Sequence, residues 1–69
     1  MKAIKITVFG AERVKLGDFV SYLNTDEELA ATLVSKDTAF IAAAGERAMA
    51  YALTIANNRF SNFEIENLK

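Results

Sequence analysis

Apolar and polar positions alternate over residues 2–9, with Ile4, Ile6 and Val8 on one side and Lys5 and Thr7 on the other. Successive side chains of an extended chain point to opposite faces, so a repeat of two is the pattern of a half-buried β-strand. Gly10 ends the run. In the stretch that follows, GAERVKLGDF, Val14 and Leu16 could extend a hairpin or anchor a loop between two glycines, and the loop is the expectation. Asp18 can then cap a short helix over 19–23, in which Phe19, Val20 and Leu23 share one side by three- and four-residue spacing.

Thr25-Asp26-Glu27-Glu28 matches a capping box, a threonine followed three positions later by a glutamate, and its three acids suit the positive end of a helix dipole. The pattern predicts a second helix to about residue 36, with Leu29, Leu33, Ala30 and Val34 inward. Asp37 or Thr38 would cap a third and longest helix over about 39–57, stopped at Asn57-Asn58. Residues 60–68 alternate again, Phe63 and Ile65 against Glu64 and Glu66, and predict a second strand. The expected architecture is a single α+β domain spanning 1–69, in β-α-α-α-β order, whose two-stranded sheet is covered by helices.

In the expected third helix Ile41, Ala44 or Gly45, Ala48, Ala52 and Ile55 fall on one stripe that is small in its middle and large at its ends. A glycine inside a helix costs about 1 kcal/mol relative to alanine, so a close approach by another backbone should compensate. Two partners are open: the chain's own sheet or second helix, or the same stripe of a second subunit.

The chain has 69 residues, of which 52% are apolar, and carries a formal net charge of −1. A single core of this size supplies only about 3–5 kcal/mol, and small domains usually add disulfides, a metal or a second subunit. Cysteine and histidine are both absent, which removes disulfides and the usual zinc sites and leaves a homodimer or another protein as the expected support. The start MKAIK lacks the apolar core of a signal peptide, and no run approaches the roughly 20 apolar residues of a membrane span, so a soluble cytoplasmic protein is expected.

The same absences limit the chemistry. Neither a Ser-His-Asp triad nor a thiolate nucleophile can be assembled, no serine lies in a GxSxG setting, and no catalytic, cofactor-binding or metal-ligating residue is assigned. Asp26, Glu27 and Glu28 lack the alternation of a calcium loop, and Gly10 and Gly17 fit no phosphate-binding glycine motif. The acids could instead meet a basic protein surface. Lys2, Lys5, Arg13 and Lys15 make the early part of the chain basic and are the one candidate nucleic-acid surface, with Phe9 available to stack on a base.

The expectation is therefore a non-enzymatic binding or regulatory protein that occupies a surface of another protein, through Ile41, Gly45, Ala48 and Ala52 or through Asp26, Glu27 and Glu28. A small dimeric nucleic-acid regulator using the basic positions is the alternative. In size and plainness the chain resembles the accessory inhibitors carried by phages and other mobile elements, the anti-CRISPR proteins among them; that resemblance implies a protein partner and no cofactor.

Overall fold

The computed structural model describes residues 2–68. The first strand, β1 (Lys2–Val8), follows the predicted alternation, with Ile4, Ile6 and Val8 buried. Gly10 adopts φ +72°, a left-handed conformation that L side chains rarely take, and turns the chain into a short 3-10 helix, Gly10–Lys15. That helix runs directly into α1 (Leu16–Leu23), which buries Leu16, Phe19, Val20 and Leu23. The loop expected over 10–18 is thus helical, and Asp18 lies in the first turn of α1 rather than capping a helix that starts after it.

The middle of the chain departs furthest from expectation. In place of a second helix and the start of a third there is a β-hairpin, β2 (Leu29–Leu33) and β3 (Thr38–Ala43). Its alanines are good helix formers, but helix propensity is a weak prior, and a free helix of about a dozen residues is marginal in water. Extended, the segment turns Ala39, Ile41 and Ala43 to one face, where each is at most 1% exposed. The residues expected to cap helices make turns instead. The Thr25 hydroxyl donates backwards to the Tyr22 carbonyl (2.7 Å), and the Asp26 carboxylate accepts from the Glu28 amide (2.9 Å), which closes an Asx turn. Asp37 accepts from the hydroxyls of Ser35 (2.8 Å) and Thr38 (3.0 Å) at the hairpin tip.

Helix α2 (Glu46–Arg59) begins after Gly45, and β4 (Phe63–Leu68) closes the fold. The glycine that looked like a flaw inside a helix is the boundary between a strand and a helix. It is extended, with φ −163° and ψ −174°, and a Cβ built on it would meet nothing within 4 Å. The helix ends without a left-handed residue: Phe60 is extended, and its amide bonds to the Ala56 carbonyl.

The four strands form one antiparallel sheet in the order β2-β3-β1-β4. Four strands replace the expected two, and the element order is β-α-β-β-α-β, the split βαβ arrangement of ferredoxin-like domains. A polypeptide with two amphipathic helices and a sheet buries one sheet face and leaves the other open. On the covered face Phe19, Ile6, Leu16, Leu23, Ile41 and Val8 are the largest fully buried side chains, each worth about 1.5–3 kcal/mol of transfer free energy. Phe60 sets its ring edge-on to Phe19, with centroids 5.3 Å apart, and to Phe63 at 6.3 Å, fastening the end of α2 to α1 and β4. Ala48, Ala52 and Ala56 of α2 are also buried, and their small side chains let the helix lie close to the layer beneath it.

Candidate protein-interaction surface

The uncovered sheet face is built by the odd register positions of β1 and their neighbours. One row across the sheet is Ala30, Ala42, Ala3 and Leu68; the next is Thr32, Phe40, Lys5 and Glu66; Thr38, Thr7 and Glu64 follow. The face is therefore divided. Around the first row a shallow apolar depression of about 340 Å³ opens beside Phe40, which is 41% exposed. Beyond it lies a polar hollow of similar volume, about 340 Å³, lined by Lys5, Thr7, Glu64 and Glu66, where the Lys5 ammonium sits 3.2 Å from the Glu66 carboxylate.

The two edges of the sheet differ. At the β2 edge the Asn24 side chain, just past the end of α1, donates its amide to the Ala31 carbonyl (2.9 Å) and accepts from the Ala31 amide (2.7 Å). The Leu29 amide is taken by the Asp26 carbonyl (3.1 Å). An asparagine side chain thus stands in for a neighbouring strand. Among the described residues no such contact covers the outward side of β4.

A third exposed feature lies on the helices. The Tyr22 and Tyr51 hydroxyls approach to 3.4 Å, and the Arg59 guanidinium lies 4.9 Å from the centre of the Tyr22 ring. The hydrogen bond to Tyr22 raises the Tyr51 pKa above the ordinary phenol value. Below, the Glu12 carboxylate ties the 3-10 helix to the segment before β4, accepting from the Ser61 amide (2.9 Å) and the Asn62 amide (3.3 Å). The Ser61 amide is the main reason that its pKa is lowered. Asp37 is lowered too, chiefly by the Ser35 hydroxyl.

The residues singled out in the sequence are dispersed. Ile41 is on the covered face of β3, and Ala48 and Ala52 are buried under α2, so these three pack inside the chain, while Gly45 is the extended residue before that helix. Asp26, Glu27 and Glu28 form the turn between α1 and β2. Among the described residues no three histidine, cysteine or acidic side chains converge in a way that could hold a metal ion. The basic positions do not gather into one patch. Lys2 pairs with Glu46 (3.2 Å) at one end of β1, Lys5 pairs with Glu66 on the open face, and Arg13 and Lys15 lie past the other end of that strand, the Arg13 Nε bonding the Gly10 carbonyl (3.0 Å). A seven-residue strand is about 23 Å long, which separates Lys2 from Arg13 by more than a Debye length.

Sequence reasoning missed the open face and the edges because it placed Phe40 and Asn24 in other settings. Alternation at Leu29, Ala31 and Leu33 and at Ala39, Ile41 and Ala43 was the available signal. Compared with protein-family models, curated proteins and solved structures, the chain matches none. No helix among the described residues is long and apolar enough to cross a membrane.

Proposed function

We propose that this chain is a non-enzymatic binding protein that acts by laying its open sheet face against another protein. The observation that carries the reading is the division of that face into an apolar half around Phe40 and a charged half around Lys5 and Glu66. An apolar centre beside a polar rim is the anatomy of a protein interface, where a central aromatic side chain supplies much of the binding energy and the charges set orientation. Aromatic side chains for stacking successive bases are not repeated across the face: of the two interior strands, β3 offers Phe40 alone and β1 offers Ala3, Lys5 and Thr7.

The test uses tagged wild-type protein and the variant Phe40→Glu, isolated side by side from the cell in which the chain is made. Phe40 is exposed and outside the core, so the variant should keep its far-ultraviolet circular dichroism and melting temperature. A protein that co-purifies in stoichiometric amount with wild type and is lost from the variant supports the reading. Light scattering shows whether that protein is a second copy. Equal recovery with both forms overturns the role given to the face.

A further inference from the structure

Hydrogen-bonding directions alternate along an extended strand, and two contacts fix the phase of β1. The Val8 amide donates to the Asp37 carbonyl on the β3 side (2.8 Å), and the Phe9 amide donates to the Asn62 carbonyl on the β4 side (3.0 Å). Ala3, Lys5 and Thr7 therefore turn their backbone groups to β4, where they face Leu68, Glu66 and Glu64. The remaining residues of that strand, Phe63, Ile65 and Asn67, point their N–H and C=O groups away from the sheet. At the opposite edge the outward positions are Leu29, Ala31 and Leu33, and the first two are already engaged by Asp26 and Asn24.

We propose that the β4 edge accepts an extended segment of a partner protein as a fifth, antiparallel strand, with basic side chains opposite Glu64 and Glu66 and an apolar one opposite Ile65. The proposal rests on the reading of the chain as a protein-binding module and names the chemistry of what it binds. Strand addition draws affinity from main-chain hydrogen bonds and selectivity from alternate side chains. Here the alternate positions differ in kind. Glu64 and Glu66 are exposed on the open face, whereas Ile65, 40% exposed, and the half-buried Phe63 lie on the helix side, so a matching strand alternates basic and apolar. A second copy of the chain is a poor occupant. In the antiparallel registers that overlap two β4 edges most fully, those centred on Glu64, Ile65 or Glu66, glutamate falls directly opposite glutamate, and like charges facing each other across strands destabilise the pair.

The experiment titrates the whole chain, labelled with ¹⁵N, with a capped heptapeptide of alternating lysine and valine. Two versions of the peptide are N-methylated, either at every valine or at every lysine. In the proposed pairing the residues opposite Ile65 turn their N–H groups to β4, so methylation at valine abolishes binding and methylation at lysine leaves it intact. The amides of Phe63, Ile65 and Asn67 shift, and those of Leu29 and Ala31 do not. The double variant Glu64→Lys/Glu66→Lys binds about tenfold more weakly and instead accepts the alternating glutamate–valine peptide. Binding that ignores valine methylation is charge attraction alone and overturns the proposal. So do shifts confined to the β2 edge, or no shifts at millimolar peptide. The titration reads the edge without any cellular partner, and the Phe40→Glu comparison reads the open face. Failure of one is therefore distinguishable from failure of the other.

Discussion

Replacing Asn24 by alanine removes both hydrogen bonds that its side chain makes to Ala31, at 2.9 and 2.7 Å, while leaving the backbone that ends α1 in place. A typical intramolecular hydrogen bond contributes about 0.5–1.5 kcal/mol net. Asn24 is exposed, so water can reach the vacated Ala31 groups, and the lower half of that range applies to each bond: the loss is about 1–2 kcal/mol. Against the roughly 3–5 kcal/mol available to a core of this size, that is a large fraction. For a domain of this length it corresponds to a melting temperature lower by roughly 5–15 °C. Urea denaturation should show a reduced midpoint at constant slope, because the surface exposed on unfolding is unchanged. Hydrogen exchange should quicken at the Ala31 amide, and the uncovered β2 edge should promote concentration-dependent association, as exposed edges without charges do. An unchanged midpoint with a still-protected Ala31 amide would refute the reasoning and mean that Asn24 plays no part in closing the edge.

Gly45→Ser should stabilise the protein by about 0.5–1 kcal/mol in thermal melts, because the position is extended with open space at Cβ and serine is the better helix cap; a lower melting temperature would count against the boundary at Gly45. Ala52→Leu, by contrast, should cost about 1–3 kcal/mol in the same assay, since Ala52 is fully buried and the added atoms would push α2 off the layer it packs on. Glu12 and Asp37 both have folded pKa values lowered by hydrogen bonds, so the stability they contribute is complete above the unfolded carboxylate range, about pH 4, and is lost as pH falls through their folded values. Urea midpoints measured from pH 6 to pH 2 should fall, and the fall should be shallower in Glu12→Gln.

The two ends of the fold were legible in the sequence. Ile4, Ile6 and Val8 alternate with polar residues beside the helix layer, and Phe63 and Ile65 alternate with Glu64 and Glu66; a period of two admits one explanation when the polar positions carry charge. The centre was not legible. Leu29, Leu33, Ala30 and Val34 satisfy a helical stripe while Leu29, Ala31 and Leu33 satisfy a strand alternation, and the threonine, aspartates and serine that close the turns at 25–28 and 35–38 are the residue types that cap helices. Pairing settled the ambiguity: β3 fills the place beside β1, and only an extended segment can satisfy that strand's backbone groups. The interaction surface shared this fate. Phe40 is a surface residue only because β3 is a strand, and Asn24 meets Ala31 only because β2 exists to be covered.

The position of β1 between β3 and β4 also has a consequence for how the chain acquires its shape. Ala3 is joined to Leu68 and Val8 to Phe63, so the central strand gains one of its two neighbours only when the last strand arrives. The hairpin of β2 and β3 closes over a four-residue tip and can form early, but the pairings that anchor β1 are distant in sequence and carry a loop-closure cost before they return any contact. Once residue 43 has been made, β3 can pair with β1 and α1 can pack on Ile4, Ile6 and Val8, but the side of β1 that faces β4 stays open until residues 63–68 follow. A chain halted before β4 would leave that side of β1 open to the first extended segment it met.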